Sequence, residues 1–295
     1  MTIRTPNTFI VGAGPVATAL AGALRLAGMP VLGLWSRQPK AARLAAATSG
    51  VASYSSGPPD ILLECEIVIM AVRDQAISEV AGKLVDTGLI TKRHVMLHCS
   101  GAMSSADAFG MLADRIGGRG TLHPLRAIAD GARAMRQLAG TVFGIEGDER
   151  GEAEARNLVT ALAGKSLALV GEQMAHYHAA AAMASNAMVA LVDAAVRLLG
   201  RAGITESDAL AALLPLASGS LQNIGDQGIT RGLTGPVRRG DVATVRRHLD
   251  TLAADPEMLA MYRMLGRATL RIAEKTGDLA PGAAEELASL FASDQ

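Results

Sequence analysis

A chain of 295 residues is long enough for one large core or two ordinary ones, and two domains is the better starting expectation. Hydrophobic residues make up 49% but aromatics only 3%, so the interior must be packed from Ala, Leu, Val, Ile and Met, which favours close-packed helices over an all-β sandwich. Basic and acidic residues balance at 28 each, which removes any charge-based case for a nucleic-acid or membrane-surface partner and leaves a small molecule as the expected one.

The start, MTIRTPNTFIVGAG, carries one Arg and runs straight into a strand and a Gly-rich turn, without a signal peptide's apolar stretch, and reads as cytoplasmic. From there to about residue 170, short apolar runs alternate with helical patterns, at 8–12, 31–35, 66–72, 94–100, 120–124, 141–145 and 166–170. VASY (51–54) is a further candidate strand, and SSGPP (55–59) is a loop by its turn residues. Continuous apolar runs separated by helices predict a mostly parallel sheet covered on both faces. After Val170 no strand pattern returns, and helical segments are predicted over 172–200, about 206–227, 241–253 and 255–276. The expected fold class is α/β: an N-terminal Rossmann-type doubly wound sheet over 1–170, then an all-α domain over 171–295.

AAAAMASNAMVALV (179–192) imitates a membrane span, but the run is shorter than the roughly 20 residues a bilayer needs and is rich in Ala, so a buried, closely packed helix is expected and no membrane partner. Cys65 and Cys99 are too few for a disulfide framework or a thiolate zinc site. His176 and His178 point apart at i and i+2 on a helix, so no metal is expected there.

The segment FIVGAGPVATALAGALRLAGMPVLGLWSR contains Gly12-Ala13-Gly14-Pro15-Val16-Ala17, a G-x-G-x-x-G/A turn in its Ala-ended form. Gly12 permits the tight turn, Gly14 lets a diphosphate approach the backbone, and Ala17 lets helix and strand pack closely. Pro15 fits a first helical turn, whose free amides face the phosphates. The turn follows a strand, opens a helix and closes a βαβ unit of about thirty residues, the context a dinucleotide site requires.

At the end of the second strand an NAD enzyme usually carries an acid bonded to the ribose 2′-hydroxyl. Here Ser36 and Arg37 stand there. A guanidinium matches a 2′-phosphate with paired donors, so Arg37 is expected to favour NADP over NAD by roughly ten- to a hundred-fold. The alternative is a solvated surface charge. Further cofactor candidates are Val72 and Asp74 at the end of EIVIMAVRD, and Ser100 after the next strand. Asp74 is explained as well by capping a helix that starts at Gln75, which is the preferred account.

These residues, with LHCSGA, TLHPL, the helix YHAAAAMASNAMVAL and the loop LTGPVRRGD, resemble Rossmann-like proteins with an uncharacterised C-terminal helical domain. Such proteins are relatives of pyrroline-5-carboxylate reductase and, more distantly, of the 6-phosphogluconate and 3-hydroxyacid dehydrogenases. The resemblance implies NADP-dependent oxidoreductase chemistry and a homodimer formed through the helical domain. In the 3-hydroxyacid dehydrogenases a catalytic Lys lies four residues before the helix Asn; Ala182 holds that position here, so the lysine mechanism does not carry over.

Hydride transfer needs a polarising donor and one proton near the nicotinamide. His178, Ala182 and Ser185 fall on one helical stripe with Asn186 beside it. Ser185 and Asn186 are either catalytic or ordinary helix–helix hydrogen-bonding groups; His178 is open between the two, and His176 belongs to the helix start or surface. His98 and His123, at strand ends, are each either a general acid or a buried imidazole satisfied by backbone carbonyls. Cys99 reads as a packed thiol. In 233–241, Thr234 and Arg239 are candidates for holding an anionic substrate, while Asp241 is a good cap for the next helix. The leading expectation is an NADP-dependent enzyme acting on a small, anionic imine or carbonyl compound. The alternatives are a non-catalytic NADP(H) sensor or scaffold, and hydride exchange with a deazaflavin.

Overall fold

The protein is described by a computed structural model over residues 4–292. The N-terminal half alternates strands and helices: β1 (Thr8–Val11), α1 (Pro15–Leu26), β2 (Val31–Trp35), α2 (Pro39–Ser49), β3 (Ser53–Tyr54), β4 (Ile67–Met70), α3 (Asp74–Asp86), β5 (Val95–His98), α4 (Ser105–Phe109), β6 (Gly118–Pro124), α5 (Gly131–Ala134), β7 (Val142–Gly147), α6 (Glu149–Ala161) and β8 (Lys165–Ala168). They form one sheet in the order β3-β2-β1-β4-β5-β6-β7-β8, parallel throughout except where β6 meets β7. Each strand falls on an apolar run of the sequence.

Those runs are continuous because the sheet is covered on both faces and successive side chains point to opposite sides. Ile10, Leu34, Ile67, Ile69 and Leu97 enter one core with α1 and α6. Phe9, Val11, Trp35, Val68 and Met70 enter the other with α3 and α4. Full burial of one such side chain stabilises the fold by about 1.5–3 kcal/mol. Placing a polar residue at either alternating set would therefore break a core.

The C-terminal half is helical: α7 (Met174–Arg201), α8 (Glu206–Gly232), α9 (Val242–Leu252), α10 (Pro256–Glu274) and α11 (Ala283–Phe291). Gly228, at φ +77°, interrupts α8 one residue beyond the predicted end of its segment. α11 was not anticipated, being only nine residues long and set behind the breaker-rich GDLAPG. It supplies Phe291, fully buried with Val245, Leu249 and Leu270.

The chain divides into two compact units, the first ending at Ser185 and the second beginning at Asn186. The buried helix expected over 179–192 is corrected: among the described residues Gly171–Arg201 is long and apolar enough to cross a membrane, and very little of it is buried within the chain, because no other element of the same copy covers most of its apolar side chains.

Candidate functional site

In open α/β sheets a ligand lies outside the carboxyl ends of the strands where the order reverses. Here that point is β1, flanked by β2 and β4. Gly12, directly after β1, sits at φ +136°, and a Cβ there would stand 2.2 Å from the Ala71 carbonyl oxygen. Both facts require glycine. Gly14 faces open space, with no atom within 4 Å of where its Cβ would be. Pro15 opens α1, and no side chain caps that helix. Its free amides thus look into the cleft.

The cleft is a cavity of about 630 Å³. It brings together Gly12, Ala13, Gly14, Pro15, Val16, Ser36, Arg37, Val72 and Asp74, nine of the ten residues expected to hold the cofactor. The tenth, Ser100, is joined to the group by donating its hydroxyl to Asp74 Oδ2 at 2.8 Å. Trp35, expected beside the phosphate contact, lines the cavity, and so does Gln38, which was not foreseen there. Ser36 Oγ accepts from the Gln38 amide at 3.2 Å, which shapes the turn displaying Arg37. Arg37 is exposed on the cavity wall. The Glu79 carboxyl is held below its usual range, first by Lys83 and in smaller part by Arg37.

The preferred account of Asp74 is corrected. Helix α3 begins at Asp74 itself, Arg73 occupies the cap position, and no side chain caps the helix. The Asp74 carboxylate is engaged by Ser100 instead, a tertiary bond across 26 residues that local sequence cannot show. A dinucleotide fits this site. The Gly14 opening leaves room for a diphosphate against uncapped amides, and Arg37 presents a guanidinium where a 2′-phosphate would lie. When bound, the reduced coenzyme supplies a hydride.

Beyond Cys99 and Ser100 the strand end continues to Gly101, which has no room for a side chain. A Cβ there would stand 2.9 Å from His123 Nε2 and 2.9 Å from His178 Nδ1. The structure therefore brings His123, His178 and Gly101 together. The two imidazoles are edge to face, with ring centroids 6.2 Å apart. His123 Nδ1 is 2.7 Å from the Tyr177 hydroxyl. Burial first, then the neighbouring His178, pulls the His123 pKa down to about 4, so the ring is neutral near pH 7. Burial pushes the Tyr177 phenol up to about 12, with the Gly144 backbone opposing.

His98 is different. It is fully buried, its Nε2 lies 3.1 Å from Thr121 Oγ1, and burial pulls its pKa to about 4. Of the two readings the sequence left open, the buried one holds: the Ser104 backbone opposes part of the pKa lowering, the Nε2 partner is a hydroxyl, and Thr121 in turn donates to buried Glu146 at 3.0 Å. That carboxylate also accepts from the Ser105 amide and hydroxyl, so the group knits β5, β6, β7 and α4 together. Burial, aided by Asp74, pushes the Cys99 thiol up to about 12, which fits an unreactive packed group.

His176 is exposed. Ser185 is half-buried and Asn186 exposed on α7, and among the described residues neither side chain makes a hydrogen bond. Thr234 and Arg239 are exposed in the second unit. Nearby, Asp241 caps α9 as anticipated, accepting from the Thr244 amide at 3.0 Å, while Arg238 forms an ion pair with Asp278 at 2.6 Å. Tyr177 was missed. Its only local signal is its place between two histidines, and its partners on β6 and β7 are distant in sequence.

The turn, the cavity and the basic strand tip define an NADP-dependent oxidoreductase built on a Rossmann-type sheet. Residues 8–99 match the family described as NADP oxidoreductase, coenzyme F420-dependent, and residues 141–269 match a domain of unknown function, DUF2520. The chain thus carries both matches in succession, the first over its strand-rich half and the second running into its helical half. No curated protein matches it in sequence. Among solved structures it is similar to protein TM1727 from Thermotoga maritima, at 26% identity, with 92% of this chain and 99% of that one covered and a TM-score of 0.71. It also shares its fold with a pyrroline-5-carboxylate reductase from Coxiella burnetii, at 14% identity, 98% and 100% coverage and a TM-score of 0.61. A third relative in fold is the Plasmodium falciparum pyrroline carboxylate reductase solved with NADP bound, at 11% identity, 99% and 100% coverage and a TM-score of 0.59.

Proposed function

We propose that the protein reduces a small, anionic imine or carbonyl compound with NADPH, or runs the reverse oxidation, as a cytoplasmic homodimer. The observation that carries this reading is the cleft that unites a diphosphate-sized opening, Arg37 and the strand end at Cys99, two residues before the Gly101 around which His123 and His178 meet. The fold shared with pyrroline-5-carboxylate reductases, whose name specifies a cyclic imine bearing a carboxylate, supports the substrate class. Ser185, Asn186, Thr234 and Arg239 enter the proposal as substrate contacts on their chemistry alone.

The dimer rests on surface character. Met183 and Val189 on α7, and Leu214, Leu216, Leu221, Ile224 and Ile229 on α8, are exposed apolar side chains. So large an apolar surface calls for a partner. A second copy suits it better than lipid, because the Asp193–Arg197 ion pair, at 3.2 Å, sits within the apolar stretch of α7.

Trp35, the only tryptophan, lines the cavity and reports cofactor binding. Titration of its fluorescence should show NADPH binding tighter than NADH by roughly ten- to a hundred-fold, and Arg37→Asp should erase or invert the preference. Equal affinities in the native protein would remove the case for NADP. A second reading, hydride exchange between NADP(H) and coenzyme F420, is favoured by the family match over 8–99. Oxidation of NADPH by F420 but by no imine or ketone would select it.

A further inference from the structure

Two neutral groups, a phenol and an imidazole, lie in hydrogen-bond contact beside the strand end that leaves the cleft. We infer that His123 is the proton donor of the reaction, and that Tyr177 is the positioning residue that holds it as the Nε2–H tautomer. The inference rests on the oxidoreductase reading above and assigns the proton source within it.

The direction of the 2.7 Å contact follows from the partners. A phenol O–H is a strong donor and a modest acceptor, whereas the unprotonated nitrogen of a neutral imidazole is a strong acceptor. Tyr177 therefore donates to His123 Nδ1, which leaves the ring proton on Nε2. The hydroxyl is fixed in turn, because Gly144 leaves room for it: a Cβ there would come within 2.7 Å of the Tyr177 oxygen. The edge-to-face packing of the two rings, centroids 5.5 Å apart, holds the same geometry.

His123 Nε2 makes no hydrogen bond to any described residue and is not sealed from solvent. It faces Gly101, the residue after Ser100, whose hydroxyl holds cavity-lining Asp74. Glycine at 101 is what keeps that space open, since any side chain would meet both His123 and His178.

The balance is simple. The acceptor carbon gains the hydride of the reduced coenzyme, and the acceptor nitrogen or oxygen gains one proton from His123 Nε2. His123 takes the Tyr177 proton at Nδ1 as it releases the one at Nε2; solvent then returns a proton to Nε2, and Nδ1 hands its proton back to the Tyr177 oxygen, which restores the starting tautomer. A neutral imidazole backed by a phenol can thus deliver a proton without first becoming a cation. The charged and titratable groups acting on His123 are His178, Asp74 and His98, with Tyr177 in contact.

The test is nitrogen NMR of histidine-labelled full-length protein, with His123 assigned by the signal lost in His123→Asn. In the native protein Nδ1 should show the shift of an unprotonated ring nitrogen and Nε2 that of a protonated one, with no change until the pH falls towards 4. Tyr177→Phe should move both signals towards averaged values, and Gly101→Ala should shift the signals of His123 and His178 together. A protonated Nδ1 in the native protein, a midpoint near the ordinary 6.5, or signals unmoved by Tyr177→Phe would overturn the assignment. NADPH titration by Trp35 fluorescence on the same samples separates the two levels. Binding by both the native protein and Tyr177→Phe supports the inference, and no binding by the native protein overturns the oxidoreductase reading beneath it.

Discussion

The two halves of the chain solve the burial problem in opposite ways. In the first unit nearly every long apolar side chain of the sheet is fully buried, and the functional groups stand at strand ends over a rigid floor. In the second unit a small core forms around Val245, Leu249, Leu270 and Phe291, while α8 leaves five large apolar side chains in solvent. The first is a finished scaffold for a ligand. The second leaves bare the surface on which the proposed second copy would pack.

The largest effect that can break this contrast lies at Gly12. Gly12→Val adds a β-branched side chain at φ +136° and 2.2 Å from a backbone carbonyl, which should cost several kcal/mol, about 4 or more. The expected result is loss of NADPH binding and a large drop in the thermal midpoint of the first unit. Normal binding by this variant would mean that the floor is not rigid.

Acid should weaken the first unit before the second. His98 and His123 are held neutral, each with its pKa lowered from 6.5 to about 4. The unfolded chain binds these protons first, so their stability contribution is complete above pH 6.5 and disappears as the pH falls through the window down to 4. The loss approaches about 3 kcal/mol for His98, and less for partly exposed His123. In the second unit the lowered pKa values belong to Asp241 and Asp255, whose contributions persist above the ordinary 3.8 and are lost only below it. Hydrogen exchange between pH 4 and 6.5 should therefore show β5 and β6 opening while α9 and α10 stay protected. His98→Asn should flatten the dependence.

How much of this was legible in the sequence depends on the range of the interactions. The strands were legible because burial on both faces writes continuous apolar runs, and the cofactor turn because its glycines, its proline and its helix are neighbours in the chain. Arg37 was legible by its place after the β2 run. Asp74 was misread, since the local sequence offers its carboxylate a helix to cap while the bond it makes is to Ser100, 26 residues away. Tyr177 was invisible for the same reason: a tyrosine acquires a role only when the fold brings His123 and Gly144 to it. The helices of the second unit could be drawn from periodicity, but their exposed apolar character could not, because Ala-rich helices read alike whether they are buried or bare.

A smaller effect sharpens the idea of an unfinished second unit. Val189 is 70% exposed, so Val189→Glu should leave the monomer's fold intact. If α7 pairs with a second copy, a buried unpaired carboxylate would weaken the dimer by roughly 2–4 kcal/mol. Light scattering should then report monomer at concentrations where the native protein is dimeric, with NADPH binding by the first unit retained. A native protein that is monomeric throughout would leave the apolar surface to another partner.

The smallest effect tests whether the second unit's own core depends on local signals. Asp241 accepts from the Thr244 amide and so satisfies one of the free donors that begin α9, the helix that buries Val245, Leu249 and Leu252. Asp241→Ala should cost about 1 kcal/mol, and Asp241→Asn, which keeps an accepting oxygen, only a fraction of that. The bond also holds the Asp241 carboxyl below its usual range, so the difference between native and Ala forms should shrink as acid protonates it. Hydrogen exchange should locate the loss in the first turn of α9 and leave the amides of β1 and α1 unchanged. Faster exchange at α1 would show that the two units do not open independently, and the contrast drawn between them would then describe one cooperative structure.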